Sequence, residues 1–477
     1  MVEFINSSLF FFRQVFPRRK SWLVFCAIVL GFIGSTEMVG ITSFCRFWGG
    51  AENVYKSLEH FLRFSNWQVS LLISQWAAFV LSQNVAVKMK GRTVLAGDHT
   101  HVPKDGRQMP GVVTLHQHSE TQSKPSYFRG HCWGSICMIA GSIAKPFGIP
   151  LDFRIHQGTI HIGENTEESK ETLGNRIVQM AIEFAVKNNE PCLLVLDAYF
   201  PCRTVFLLAS SVFSEKLKQS MVELIIRAKK NCVAYYRAED PIKNKKGRPK
   251  KYGEKVKLMD LFDSSPKLFS KAVIKVYDNH EEVSYMVINL LWKPTCSLIR
   301  FVLFESSRGR IILMCSNLEQ DPLEALQAYC LRVRVETMFD VMKNLIGAFR
   351  CHFWSKQMPV HSRKPRKNSE LIEPVEEAIP AIKNCWDGYV KFVMSGAIAT
   401  GLLQLISLKF QTKVWDNFTA YLRTRSRDLP SERTVKHVVS RMLTQDMDKI
   451  APSVIIREIQ KNWLLGNYIP DVVLPNA

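Results

Sequence analysis

Four polar residues in the segment YCLRVRVETMFDVMK have the spacing of one helix face: Tyr329, Arg332, Glu336 and Lys343. At about 100° per residue they fall within roughly 60° of one another around the helix axis. Apolar side chains repeat on nearly the opposite face, which predicts that this side packs against the core. A carboxylate between two cations and a phenol is suited to holding a metal ion against a polyanion. The alternative is a surface ion pair between Arg332 and Glu336, worth roughly 0.2–0.5 kcal/mol.

Two aspartates that follow apolar, strand-like segments supply further carboxylates. Asp98 follows TVLAG (93–97), and Asp197 lies in PCLLVLDAYF (191–200), which has the composition of a central strand. Acids at strand ends of an α/β sheet point into the crevice where ligands bind. With Glu336, they would form a hard-oxygen site for Mg²⁺ or Mn²⁺. Taken singly, each aspartate is equally well explained as a turn or helix-cap residue.

The charge of the chain favours a polyanionic partner. Its 477 residues contain 63 Lys and Arg against 43 Asp and Glu, which gives a formal net charge of +20. Such an excess is typical of proteins that bind nucleic acid and, less often, an anionic membrane surface. The twelve cysteines include no CxxC pair, so no zinc-knuckle or redox motif is present.

The pattern along the chain predicts a mixed α/β region between two helical ones. Residues 1 to about 90 have helical periodicity, and the C-terminal region is basic and then helical to about 465. Between them, strand-like segments alternate with helices predicted at 171–188 and near 207–222. A β-rich block fills the stretch between Asp197 and the helix that carries Glu336. It comprises LFSKAVIKVYD, EEVSYMVINLLW, CSLIRFVLFE and GRIILMCSN.

One apolar segment, WLVFCAIVLGFIG (22–34), raises the question of a membrane. It follows basic residues as a signal peptide or anchor would, but thirteen apolar residues are short for a bilayer span and no A-x-A-like site follows. We predict a buried helix here, with an anchor as the alternative. The apolar segment near 389–408 is likewise predicted to be core.

At these positions the chain resembles insertion-sequence DDE transposases of the insertion-sequence-four-like superfamily. The spacing Y-x2-R-x3-E-x6-K of residues 329–343 matches that family's Tyr-Arg-Glu-Lys signature. Asp98 in AGDHT and Asp197 in LDAYF look like its first two catalytic acids. The resemblance implies an α/β RNase H-like core (91–350), a mixed sheet flanked by helices and interrupted by a β-rich insertion at about 241–318. Helical regions at 1–90, for DNA binding or dimerisation, and at 351–477 would flank it.

The resemblance also implies an activity. Asp98, Asp197 and Glu336 would bind two Mg²⁺ ions, for which Mn²⁺ can substitute, and direct strand cleavage at transposon ends followed by strand transfer into target DNA. Tyr329, Arg332 and Lys343 would contact the DNA backbone. The expected partners are double-stranded terminal repeats and target DNA, with a homodimer as the active complex and no membrane. The expected location is the bacterial cytoplasm, at the nucleoid.

Further DNA contacts are predicted in two basic segments and at one aromatic residue. Lys104, Arg107 and Lys124 lie in the polar stretch after Asp98, where five histidines also allow a zinc site as a less favoured alternative. Arg248 and Lys250 flank the proline of KNKKGRPKKYGEK, which resembles an AT-hook and is also explained as a basic loop that tracks phosphates. Trp292 is a candidate for stacking on a flipped base, with an ordinary core tryptophan as the alternative.

Two other functions remain open from the sequence. The first is a catalytically inactive DNA-binding protein derived from a transposase. The second is a basic peripheral membrane protein anchored through residues 22–34. Metal-dependent DNA cleavage would exclude the first, and a chain that stays in solution without detergent would exclude the second.

Overall fold

The computed structural model describes residues 1–37, 40–50, 52–116, 126–156, 172–238, 250–276, 279–364, 375–422, 428–444 and 454–459. Within these ranges one mixed sheet of 13 strands carries helices on both faces. The mixed sheet flanked by helices that the sequence predicts is therefore present. All twelve cysteines are free thiols.

The centre of the sheet is formed by three parallel strands: β2 (Arg92–Pro103), β6 (Cys192–Leu196) and β9 (Val222–Arg227). β6 lies between the other two, and all five of its side chains are buried. This explains its uninterrupted apolar sequence, because a central parallel strand is covered on both faces. On its other side β2 pairs with β4 (Tyr127–Ser142), and β4 pairs in turn with β5 (Lys145–His156), both antiparallel.

The β-rich block continues this sheet. Its last strand, β15 (Gly309–Cys315), pairs antiparallel with β9 and so joins the block to the central strands. The other strands of the block are β10 (Val233–Arg237), β11 (Tyr252–Lys257), β12 (Ser270–Val276), β13 (Asn279–Trp292) and β14 (Ser297–Ser306). The four strand-like segments expected here are therefore present. That the block is an insertion in a family fold stays a prediction.

Short strands complete the β structure: β1 (Lys88–Met89), β3 (Val113–His116), β7 (Phe213–Ser214) and β8 (Gln219–Ser220). The helices of the first 90 residues are α1 (Val2–Phe11), α2 (Arg19–Gly34), α3 (Ile41–Trp48), α4 (Glu52–Arg63) and α5 (Val69–Ser82). Those between strands are α6 (Leu173–Asn188), α7 (Arg203–Ser210), α8 (Leu261–Ser264), α9 (Pro322–Leu331) and α10 (Val333–Val341). The C-terminal helices are α11 (Ile379–Lys409), α12 (Gln411–Asp416), α13 (Glu432–Thr444) and α14 (Val454–Ile459).

The N- and C-terminal helices pack together against one face of the sheet. The long helix α11 contacts β5 of the sheet and also α2, α4 and α13. The apolar segment 22–34 lies in α2 and is buried along its whole length, as predicted. Among the described helices, only the segment Glu376–Lys409 is long and apolar enough to cross a membrane, and its apolar stretch is fully buried within the protein.

Three local predictions are wrong. Asp98 does not end its strand, because antiparallel pairing with β4 carries β2 on to Pro103. The helix expected near 207–222 ends at Ser210, and the β7–β8 hairpin follows it. The helix expected across 329–343 is interrupted, since α9 ends at Leu331, α10 begins at Val333, and a π-helical turn occupies Met342–Ile346.

Candidate active site

Side chains from two strands and one helix meet at the guanidinium of Arg332. Its Nη1 donates a hydrogen bond to Asp98 Oδ2 at 2.8 Å, and its Nη2 donates to Glu336 Oε1 at 2.7 Å. The same Nη2 lies 4.0 Å from Asp197 Oδ2. The three acids singled out in the sequence, although far apart along the chain, therefore surround one positive charge.

Strand pairing brings the two aspartates to the same level of the sheet. β2 and β6 run parallel and in register up to the pair formed by Ala96 and Val195. Continued for two residues, this register sets Asp98 beside Asp197, at the point where β6 ends. Only β2 continues past this level, because only β2 has β4 as a further partner. Beyond this level β2 no longer has β6 beside it, so the sheet is open next to Asp98.

The face to which Asp98 points is set by its neighbour Gly97. A Cβ on Gly97 would lie 2.6 Å from Ile177 of α6, so this residue faces α6 at very close range. Neighbouring residues of a strand point to opposite faces. Asp98 therefore points away from α6, toward Arg332 and Glu336 on the other face of the sheet.

The helical segment that carries the third acid is fixed at its start and along one side. Asp321 caps α9 by accepting a hydrogen bond from the backbone N–H of Glu324 at 2.8 Å, and Pro322 occupies the first turn. In α10, Val335 and Met338 are buried against the sheet, whereas Glu336 between them leaves 54% of its side chain exposed. The helix thus presents this carboxylate at the open side of the site.

The electrostatics of the site favour an ionised Asp98. Burial opposes ionisation, but hydrogen bonding to His99 and the charge of Arg332 outweigh it, so the pKa of Asp98 lies below its ordinary value. Burial likewise opposes the charge of Arg332, but the surrounding carboxylates raise its pKa further above the ordinary value. Both groups therefore stay charged at neutral pH.

Tyr329 and Lys343 are also engaged within this site. The hydroxyl of Tyr329 donates to Asp197 Oδ1 at 3.1 Å, and burial together with that carboxylate raises the pKa of Tyr329 to about 12. The amino group of Lys343 donates to Thr100 Oγ1 and, at 3.0 Å, to the carbonyl oxygen of His101. Tyr329, Arg332 and Lys343 thus contact β2 or the residue that follows β6, and Glu336 joins them through Arg332.

The donor set has the chemistry of a divalent-cation site. Three carboxylates face the single guanidinium of Arg332, which leaves a formal surplus of two negative charges among these groups. Carboxylate oxygens are the ligands that Mg²⁺ and Mn²⁺ prefer. In the described part of the chain, no group of three His, Cys, Asp or Glu side chains is spaced to hold an ion as it stands. The donor types fit the ions, and their present spacing fits the guanidinium between them.

Of the remaining predicted DNA contacts, two are exposed. Arg107 lies on the surface, and its Nε donates to the carbonyl oxygen of His361 at 3.3 Å. Lys250 is exposed at the start of a described range. Lys124 and Arg248 lie outside the described residues. Of the two described residues, Arg107 contacts His361 and not the carboxylates.

Lys104 and Trp292 are buried, which contradicts their assignment as DNA contacts in this structure. The amino group of Lys104 donates to the carbonyl oxygens of Phe349 and Cys351, both at 2.7 Å, and only 3% of the residue is exposed. Trp292 is 7% exposed and packs edge to face on Phe206 at 5.3 Å. Trp292 therefore matches its alternative reading as an ordinary core tryptophan. Lys104 was assigned to DNA because the sequence does not show burial.

A cleft that the sequence did not indicate opens beside the carboxylates. Its volume is about 540 Å³, and Tyr329, Arg332 and Glu336 form part of its wall. Two further basic residues come from the β-rich block, Lys275 in β12 and Arg308 in the β14–β15 turn, and Arg334 comes from α10. The one available signal was Arg334 itself, a charged residue on the helix face that is otherwise apolar.

An exposed aromatic side chain also lies next to the acids. Tyr199 is 60% exposed in the turn that follows Asp197, where the backbone N–H of Phe200 donates to the carbonyl oxygen of Asp197. Its ring lies 5.2 Å from the ring of His99. The adjacency of Tyr199 to Asp197 is visible in the sequence, but its exposure is not.

One comparison with known proteins identifies a family for this chain. A family model described as DDE superfamily endonuclease matches residues 12–282, more than half of the chain. The matched range contains Asp98 and Asp197 and ends before Glu336. A search of curated proteins gives no match. Endonucleases of this superfamily have an RNase H-like fold, act on DNA and generally use divalent metal ions.

Proposed function

Because the chain belongs to the DDE superfamily of endonucleases, we propose that it is an insertion-sequence transposase. It would cleave DNA at the ends of its element and transfer the freed ends into target DNA. The observation that carries this proposal is the convergence of Asp98, Asp197 and Glu336 on one guanidinium. A structural ion pair needs only one carboxylate for each arginine, whereas this site gathers three.

Asp98, Asp197 and Glu336 would hold two Mg²⁺ ions, for which Mn²⁺ can substitute. Such ions activate the attacking water or hydroxyl and stabilise the leaving oxygen of a phosphodiester. For the ions to bind, the guanidinium of Arg332, which lies between the carboxylates, must first break its hydrogen bonds to them. Once it turns away, its planar guanidinium can bind a DNA phosphate through two parallel hydrogen bonds.

The other residues of the helix face would position the two strands and the substrate. Tyr329 holds Asp197 through its hydroxyl, and Lys343 holds β2 just beyond Asp98. We propose that Tyr329 and Lys343 contact the DNA backbone once these hydrogen bonds are broken, as do the exposed Arg107 and Lys250. Lys124 and Arg248 remain predictions outside the described residues, and we no longer propose Lys104 or Trp292.

The partners follow from the reaction. Two transposon ends must be held together, and a homodimer that binds duplex terminal repeats and then target DNA is the simplest assembly. The surplus of basic residues would attract both duplexes through their phosphates. We place this activity in a bacterial cytoplasm, at the nucleoid.

The direct test is cleavage of labelled duplex DNA taken from the regions that flank the gene. With Mg²⁺ or Mn²⁺, we expect strand breaks at the element ends that leave 3′-hydroxyl groups, and joined products when target plasmid is added. With EDTA, binding should persist without cleavage. Specific binding with no cleavage under any divalent ion would instead support the inactive DNA-binding protein.

A further inference from the structure

The cleft beside the carboxylates has walls of uneven charge. Among the described residues that line it, four are Lys or Arg, namely Lys275, Arg308, Arg332 and Arg334, and Glu336 is the one acid. The remaining wall is formed by the β4–β5 turn, by Asn279 of β13 and by residues of α9 and α10. A surface of this composition attracts an anion, and its acid lies at the end shared with the active site.

Arg334 is the residue whose surroundings point most directly to a ligand. Its Nε is buried and has no hydrogen-bond partner among the described residues. A buried donor that lacks a partner carries a desolvation cost, which a bound acceptor would offset. The helix is held at this point, since a Cβ on Gly148 would lie 2.8 Å from the Arg334 carbonyl oxygen. The guanidinium is therefore anchored at the cleft by a backbone that packs closely on β5.

Lys275 and Arg308 approach the same cleft from the β-rich block. β12 packs against α9, which carries the lysine to the helix that leads into the active site. Arg308 is 49% exposed at its side chain, and its Nε lies 3.6 Å from Glu281 Oε1, so it faces both that acid and solvent. Two separate parts of the chain thus supply cations to one opening.

We propose that this cleft binds the sugar-phosphate backbone of a single DNA strand and leads it to the carboxylates, with Lys275, Arg308 and Arg334 each contacting a phosphate. The proposal rests on the proposed function, because it assigns the path of that enzyme's substrate. A volume of about 540 Å³ lies in the range of small-molecule pockets, so it suits about one or two nucleotides of one strand rather than a duplex. Contacts of this kind position DNA without reading its sequence.

The test measures how DNA binding depends on salt. The probe is a fluorescent duplex of arbitrary sequence with a single-stranded 3′ overhang, in EDTA so that no cleavage occurs. The triple variant Lys275→Gln, Arg308→Gln and Arg334→Gln should reduce the slope of log affinity against log salt by about 2 units, since each phosphate contact on a single strand contributes roughly 0.7. The matched control replaces Lys56, Lys216 and Lys218 with Gln; all three are exposed and none lines the cleft.

A second measurement locates the contact. Methylphosphonate linkages, which carry no charge, are placed one at a time along the overhang. One linkage should weaken binding by the wild type and have no further effect on Arg334→Gln, whereas Arg334→Lys should retain most of the wild-type sensitivity. The proposal is overturned if the triple variant keeps the wild-type slope, or if the control loses as much.

The two proposals can fail separately. If the wild type cleaves its element ends and the triple variant keeps the full salt slope, the proposed function stands and the strand-binding cleft is rejected. If the wild type never cleaves, but the triple variant has a smaller salt slope than the wild type, the cleft binds a strand in an inactive protein.

Discussion

Two arginine–carboxylate clusters lie on opposite faces of the same sheet, and they differ in charge balance. On the face covered by α6, Arg154 donates to Asp152 Oδ2 at 2.8 Å and holds both carboxylate oxygens of Glu183, at 3.1 and 2.9 Å. Lys187 lies a further 3.5 Å from Glu183. Two acids and two bases therefore balance. On the other face, three acids share the guanidinium of Arg332, and the ring Nδ1 of His99 also lies 3.4 Å from Asp98 Oδ1.

The clusters also differ in access. The Asp152 side chain is 4% exposed. Glu183, on the outer side of α6, is the carboxylate of this cluster that faces water. At the second cluster exposure rises from 16% at Asp98 to 37% at Asp197 and 54% at Glu336. The first cluster is a closed structural network. The second has surplus negative charge and an open side, which are the conditions under which a further cation can bind.

The largest expected effect is on cleavage. Asp98→Asn, Asp197→Asn and Glu336→Gln should each reduce cleavage of element-end DNA by on the order of 10³-fold or more, because acids that share a metal site act as one unit. Binding of the same DNA in EDTA should change little. The matched control is Asp340→Asn, an exposed acid on the same helix. Near-normal cleavage by any of the three would remove that residue from the site.

The next effect is on stability, and it separates the clusters directly. Arg154→Ala should lower the free energy of unfolding by roughly 3–5 kcal/mol, since it leaves the buried Asp152 without its cationic partner. Added Mn²⁺ should stabilise this variant no more than it stabilises the wild type. Arg332→Ala should cost less, because two of its acids face water, and Mn²⁺ at about 100 times its dissociation constant should return about 2.7 kcal/mol.

Denaturant unfolding with and without Mn²⁺ measures this difference without relying on activity. If Mn²⁺ stabilised Arg332→Ala no more than Arg154→Ala, removal of the guanidinium would not make the open cluster a better site for the ion. If neither variant responded, the carboxylates around Arg332 would be a structural network like those around Arg154.

The smallest expected effect concerns pH at the closed cluster. Burial raises the pKa of Asp152 despite the opposing charge of Arg154. The folded state therefore takes up this proton at a higher pH than the unfolded state, whose ordinary value is about 3.9. The resulting stability is fully present below that value and is lost as pH rises through the folded pKa.

Wild-type protein should accordingly gain stability relative to Asp152→Asn as pH falls toward about 4, by at most about 1.4 kcal/mol per pH unit. Denaturant unfolding between pH 7 and pH 4 measures the difference, with Asp340→Asn as the exposed control. A constant difference across this range would show that Asp152 does not titrate there.

Much of the fold was accessible from the sequence because its signals are local. The apolar run of β6, the helical spacing of α6 and the four strands of the β-rich block all appear where the pattern predicts them. Boundaries were less accessible. β2 continues past Asp98 because it has a partner in β4, and pairing between distant segments has no local signature.

The three acids and the four-residue helix face were legible in the sequence, because residue type and spacing reveal which side chains share a face. Burial could not be read from the sequence, since packing depends on segments remote in sequence. Lys104 and Trp292 are residue types that often contact DNA, but both lie inside the protein. The same holds for the cleft, whose cations come from β12, a β-turn and α10. Residue chemistry thus follows from the chain directly, while charge balance, exposure and the convergence on Arg332 arise only when strand pairing and helix packing bring distant segments together.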